Sequence, residues 1–422
     1  MQPGKTGRRR FLKESAALAG FTVGTIGSAS GQAPQKAESD GEDFRAYGSH
    51  SRFENPRRKP SGMDPEHPGG GTGSGASLTP LQDSIGIITP SSLHFVVSRF
   101  RNAPPDLDPQ EHRLLIHGLV DRPLIFTLAE LKRLPSVSRI HFLECAGNGS
   151  PVERRNAKTV QETHGWTSCS EWTGVPLSVL LTEAGVQKGA SWIVAESADA
   201  GKHAKSIPLE KAMDDVLVAY GQNGEAVRPE QGYPLRLVVP GWEGVNNVKW
   251  LRRIKLVDQP YMTHSETTQY PSIRPILEGK ALWFNFEMEP KSVITFPSGG
   301  HRLPGRGFYE ITGLAWSGRS AIRSVEVSAD GGKTWKHAEL QAPVLRMAHT
   351  RFRFAWNWDG EEAVLQSRCT DEKGVQPTLT ALAKIWGVNP DYFNTTLNRI
   401  NHFNPIQPWN VTRDGSVLNG LF

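Results

Sequence analysis

The chain has 422 residues, 37% hydrophobic and 22% charged, an ordinary globular composition with room for two or three domains. Its formal net charge is +5, but residues 1–33 hold Lys5, Arg8, Arg9, Arg10 and Lys13 against Glu14, leaving about +1 elsewhere, too little to favour nucleic-acid binding. The three cysteines, Cys145, Cys169 and Cys369, cannot all pair, and the lack of any C-x-x-C or C-x-x-C-H argues against a zinc ribbon and a covalently attached c-type haem.

Taken from its start, the chain opens with Gly7-Arg8-Arg9-Arg10-Phe11-Leu12-Lys13, a weakly apolar stretch from Ala16 to Ile26, and small residues to Ala33. This matches a twin-arginine export signal, and its apolar part is too short to span a bilayer. That route carries proteins already folded, often with a cofactor in place, so 1–33 is expected to be a signal peptide and the protein periplasmic. Residues 34–80 are rich in Gly, Pro, Ser and charge, the composition of an extended or disordered arm. Within it, His67-Pro68-Gly69-Gly70 matches the haem-ligand tetrapeptide of small b-type cytochromes. The apolar positions needed to bury a haem are missing, so no haem is expected on this chain.

Ordered periodicity begins at Leu81. Strands are expected at Arg113–His117, Ile140–Leu143, Trp192–Ala195, Val216–Tyr220, Leu235–Val239 and Val248–Val257. Thr127-Leu128-Ala129-Glu130 is a capping box that opens a short helix, and Pro176–Ala184 reads as a helix with Gly185 after its end. Short helices among strands of mixed pairing predict an α+β unit over 81–286. From 287 the pattern turns all-β: Val325 and Val327 alternate with polar residues, Asp330-Gly331-Gly332 turns into a strand at Lys333-Thr334-Trp335, and Phe352, Phe354 and Trp356 alternate. A β-sandwich is expected over 287–410, with 411–422 as a C-terminal tail.

The densest chemistry lies at His141-Phe142-Leu143-Glu144-Cys145-Ala146-Gly147-Asn148-Gly149-Ser150. An apolar strand end delivers one thiol into a Gly/Asn/Ser turn, a common way to mount a site on a rigid support. The plainer reading is a buried free cysteine at a tight turn.

Further motifs stand in order behind it: Ser206-Ile207-Pro208-Leu209, Tyr233-Pro234-Leu235-Arg236-Leu237-Val238-Val239-Pro240-Gly241 and Asn247-Val248-Lys249-Trp250-Leu251. Together with Glu144-Cys145-Ala146-Gly147-Asn148 they resemble the sulfite oxidase family of molybdopterin enzymes. Ala315-Trp316-Ser317-Gly318 and Val327–Trp335 resemble that family's immunoglobulin-like dimerisation domain. Thr79–Pro90, the export signal and the missing haem module are most similar to the family's sulfane-dehydrogenase branch, which acts in Sox-type thiosulfate oxidation. The resemblance implies a mixed α/β molybdopterin-binding domain followed by an immunoglobulin-like sandwich.

It also implies roles. Cys145 is the molybdenum ligand, a soft thiolate suited to a metal already held by dithiolene sulfurs. Tyr270, Arg99 and Trp166 face the substrate; a phenol can relay a proton and a guanidinium suits an oxyanion. Arg99, Asp199, Gln231, Arg236, Asn247, Val248 and Lys249 hold the pterin, whose phosphate and ring edges need cations and polar groups. Electrons would leave singly to a separate c-type cytochrome subunit. The substrate would come from a sulfur-carrier protein, and the chain would form a homodimer through the sandwich or a heterotetramer with the cytochrome. No membrane span is expected.

Two departures bear on substrate. Sulfite oxidases commonly place two arginines after Cys-Ala-Gly-Asn, where this chain has Gly149 and Ser150; the usual Asn-His is here Phe100-Arg101. Less positive charge and more room disfavour the small sulfite dianion and favour sulfane sulfur on a carrier cysteine, unless Arg101, Arg154 or Arg155 restores the charge. Rival readings are a sulfite dehydrogenase, a molybdenum sulfoxide reductase, and a non-catalytic periplasmic binding or assembly protein.

Overall fold

The computed structural model describes residues 51, 53–54, 56–60, 76–97, 104–273, 282–395 and 401–421. The expected signal peptide, the His67 tetrapeptide and Arg99 lie outside these residues. Every strand and helix among the described residues belongs to the compact unit Asn55–Phe422. Among the described residues no helix is long and apolar enough to cross a membrane.

The first half is built on two five-stranded sheets. In one, Val137–Glu144 pairs antiparallel with Thr167–Pro176, which pairs with Leu217–Gln222; that strand also carries Glu225–Ala226 and Arg236–Val238. In the other the order is Leu124–Thr127, Arg113–Gly118, Leu251–Val257, Trp192–Ser197, Ala204–Pro208. Leu251–Val257 runs parallel to Arg113–Gly118 and antiparallel to Trp192–Ser197, the mixed pairing expected of an α+β unit. Leu114, Ile116, Val175, Val218, Leu237 and Ile254 share one core with the Leu177–Ala184 helix. The capping box at Thr127–Glu130 forms, and Gly185 ends the longer helix at φ +73°.

The second half is a sandwich. One sheet holds Lys291–Phe296, Gly307–Trp316, Thr350–Trp358 and Glu339–Gln341; the other holds Lys336–His337, Ser324–Ser328, Ala363–Thr370, Trp409–Val411 and Val417–Asn419. Trp316, Val325, Val327, Phe352, Leu365 and Trp409 fill the space between them.

Three expectations fail here. Lys333–Trp335 is turn, and pairing resumes only at Lys336, because Asp330 accepts from both Thr334 N and Oγ1 and prolongs the turn. The expected tail, 411–422, contains the strand Val417–Asn419, which pairs with Trp409–Val411 around a turn at Asp414-Gly415. The half expected to be all-β carries two helices, Leu379–Trp386 and Asp391–Thr395, between its strands. Thr378 Oγ1 caps the first by accepting from Ala381 N, Gly387 ends it in the left-handed region, and Leu382, Ala383 and Trp386 form its buried face.

Candidate active site

Cys145 stands at the end of the Val137–Glu144 strand and is 8% exposed. Its N–H donates to Trp166 O (3.0 Å), and its carbonyl accepts from Asn148 N (2.9 Å), closing a tight turn. Asn148 fastens the turn twice more: its Nδ2 donates to Glu144 Oε1 (2.9 Å) and its Oδ1 accepts from Trp166 N (3.1 Å).

Behind the turn, Glu144 is fully buried. Lys291 Nζ reaches its Oε1 at 2.6 Å, and Trp316 Nε1 donates to its Oε2 at 2.7 Å. Both partners belong to the sandwich, so the residue before the thiol is anchored in the other half of the molecule. A buried carboxylate is tolerable only with such saturation. Burial pushes the Lys291 pKa down, and the Glu144 charge opposes the shift.

In front of Cys145 opens a cleft of about 780 Å³ of empty space, mouth included. This suits a cofactor-sized molecule. Six of the residues singled out from the sequence line it with Cys145: Asp199, Gln231, Arg236, Asn247, Lys249 and Tyr270. They converge from far apart in the chain. Gly244 permits part of this convergence, since a Cβ there would stand 2.8 Å from Glu144 O.

The cations of the cleft carry a consistent signature. Arg236 is 5% exposed, donates to Gln231 O and Oε1 and to Asn247 O, and lies over the Trp172 ring. Its Nε has no hydrogen-bond partner, and burial lowers its pKa to about 9. Lys249 as a residue is half-buried, but its ammonium end is the deep part, donating to Val97 O and Glu230 O. Burial first, then repulsion from Arg236, lowers its pKa to about 7. Among the described residues neither cation forms an ion pair. Two cations without a direct carboxylate partner, facing one cleft, are what a phosphate-bearing ligand needs, although Asp199 and Glu230 are near enough to act on the Lys249 charge. With the thiol lining the same cleft, this donor set fits a molybdenum pterin dithiolene bound by one protein sulfur.

Other expected residues sit differently. Trp166 is 2% exposed and packs with Cys145, Phe95 and Leu143 behind the thiol, off the cleft wall. Val248 is fully buried in the core; its N–H donates to Asn246 O and its carbonyl accepts from Leu237 N, so its main chain is already committed. Asn247 lines the cleft, yet its Oδ1 accepts from Val239 N and its Nδ2 donates to Glu243 O. Arg154 is completely buried beneath the Cys145 turn, Nη2 2.8 Å from His164 Nε2, and does not reach the cleft. Arg155 is exposed and donates to Asn394 O. Arg101, like Arg99, lies outside the described residues.

Sequence reasoning missed the cleft residues Phe95, Val97, Ser197, His203, Val245 and Trp250. His203 is tied to the expected residue Asp199, whose Oδ1 accepts from His203 N at 3.3 Å, a contact that only the fold reveals.

Comparisons with known proteins agree on one family. Residues 101–265 match the "Oxidoreductase molybdopterin binding domain" and residues 283–399 the "Mo-co oxidoreductase dimerisation domain". Nitrate reductase [NADH] 1 of Arabidopsis thaliana is 34% identical over 308 residues, 65% of this chain and 33% of the relative. Mitochondrial sulfite oxidase of Rattus norvegicus is 32% identical over 330 residues, 71% of this chain and 59% of the relative. The chain thus spans about a third of the nitrate reductase and under two thirds of the sulfite oxidase. The crystal structure of the sulfane dehydrogenase SoxCD from Paracoccus pantotrophus superposes with a TM-score of 0.81 at 41% identity, covering 90% of this chain and 94% of the matched one.

Proposed function

The chain belongs to the sulfite oxidase family of molybdopterin oxidoreductases, and from that premise we propose that it oxidises sulfane sulfur held on a carrier-protein cysteine. The cofactor, when bound, supplies a two-electron oxidation of sulfur, with water as the source of oxygen. The protein's part is to hold and orient. Cys145 gives the metal its protein sulfur. Arg236, oriented by Gln231, and Lys249 would hold the pterin phosphate, and Asp199 and the Asn247 region would offer polar groups to the pterin. Tyr270, on the same cleft, would supply a phenol for proton transfer.

The observation that carries the choice of substrate is the Cys145 turn. It brings no cation to the cleft: Gly149 and Ser150 are uncharged, and Arg154 is folded away beneath them. Among the described residues, the arginine and lysine of the cleft, Arg236 and Lys249, are tied to carbonyls on other walls. Among the described residues, a free sulfite dianion would meet little packed positive charge beside the thiol. The relationship to SoxCD supports the same reading. Steady-state kcat/KM for a persulfidated carrier protein against free sulfite, with cytochrome c as acceptor, tests it; sulfite turnover as efficient as the persulfide's would end it.

The remaining parts of the reading rest on the sequence. We assign residues 1–33 to twin-arginine export and the mature protein to the periplasm. Electrons leave to a c-type cytochrome on a separate chain. The sandwich pairs two copies of the molecule.

A further inference from the structure

Between the sandwich strands Ala363–Thr370 and Trp409–Val411 the chain makes its helical excursion, with a small core of Leu382, Ala383, Trp386, Phe393 and Phe403. The excursion ends in Asn401-His402, and this dipeptide touches three walls of the cleft. The His402 N–H donates to Ala146 O (3.0 Å), in the turn just after Cys145. The His402 Nε2 lies 2.6 Å from Glu243 Oε1, next to the lining residues Gly244 and Val245. The Asn401 Nδ2 donates to the carbonyl of Tyr270 at 2.7 Å. Both residues are buried, at 3% and 9% exposure, and neither lines the cleft.

His402 also holds φ at +58°, in the left-handed region that residues with a side chain rarely adopt. Such a conformation persists only where the surroundings over-determine it. Here the surroundings are the contacts themselves: the backbone must turn so that amide and imidazole reach two different walls at once.

We infer that Asn401 and His402 are positioning residues that set the spacing of the Cys145 turn, the 243–245 loop and Tyr270. Their relevance to catalysis rests on the cleft being the cofactor site. They act through Ala146, Glu243 and the Tyr270 main chain, and make the helical excursion part of the site's frame.

The test uses the full chain without cofactor. His402→Gly keeps the backbone conformation accessible and deletes the imidazole; Asn401→Ala deletes the third fastening alone. Cys145 alkylation by iodoacetamide is followed by peptide mass, beside hydrogen exchange of residues 144–148, 242–247 and 265–270. Losing a buried hydrogen bond to a carboxylate should raise local opening roughly ten- to a hundredfold. The expected result is that alkylation accelerates by about that factor in His402→Gly, that exchange quickens in all three segments together, and that His402→Gln restores both. Should His402→Gly fail to accumulate, Asn401→Ala must still loosen 265–270. Exchange that quickens only within 371–408, or alkylation unchanged within about twofold, overturns the inference. These readouts need no metal. A wild-type chain without molybdenum would sink the functional reading and leave the fastening standing.

Discussion

Exchanging Lys291 for methionine removes the ammonium that sits 2.6 Å from Glu144 Oε1, in a pair whose side chains are 1% and 0% exposed. Stranding one charge of a buried pair costs about 3–5 kcal/mol. Glu144 would keep the Asn148 amide and the Trp316 indole, which places Lys291→Met near the low end, about 3 kcal/mol. Glu144→Gln strands the ammonium without a counter-charge instead and should cost about as much, since only the neutral amide oxygen and the Asn148 carbonyl remain to accept from Lys291. The double variant removes both charges. It should therefore fall short of the summed single costs by at least about 2 kcal/mol. Urea unfolding of the cofactor-free chain, followed by tryptophan fluorescence with the slope held constant, measures the cycle. Costs that add within about 0.5 kcal/mol would mean that the two residues do not share an interaction. The claim that the cysteine turn is anchored in the sandwich would then be wrong.

Other outcomes concern the cleft. Arg236→Gln should lower pterin content, measured by fluorescence after acid release, with affinity falling about tenfold or more as a buried phosphate contact is lost. Lys249, held near pKa 7 in the cofactor-free chain, must take up a proton to meet a phosphate above that pH. Cofactor affinity should then fall as pH rises from about 7 towards the ordinary lysine range, and Lys249→Gln should flatten that fall. For the same reason, the cofactor-free chain gains stability over this window, because the unfolded lysine binds the proton more tightly than the folded one. Gly149→Arg should cost about 2 kcal/mol without raising sulfite-dependent cytochrome reduction. Its residue sits at φ +75°, and its Cβ would meet the buried Arg154 guanidinium at 2.6 Å. A stable variant with new sulfite turnover would contradict the account of the turn.

What could be read from the sequence was whatever a short motif encodes. Cys145, Arg236 and Lys249 stand in contiguous signatures, and the structure brings them to one cleft. Strand alternation and capping chemistry are equally local, so the Thr127 box and the Phe352–Trp356 strand were legible. The misses share a cause: they depend on contacts distant in the chain. Glu144 looked like a motif letter; only the fold brings Lys291, 147 residues further along, up to its carboxylate. Trp166 occupies a motif position, but its side chain turns to a core that no spacing rule specifies. The first helix after Thr378 had readable caps, Thr378 and Gly387, and was overlooked because the surrounding pattern was so strongly β. The final strand was hidden by its length, three residues from Val417 to Asn419.

The central claim is that the sulfur of Cys145 binds molybdenum. X-ray absorption at the molybdenum edge, on wild-type protein folded in the cytoplasm and on Cys145→Ser, tests it most directly. The account predicts one sulfur neighbour fewer around the metal in the variant, with the fold retained and turnover lost. An unchanged sulfur shell, or full turnover in the variant, would contradict it.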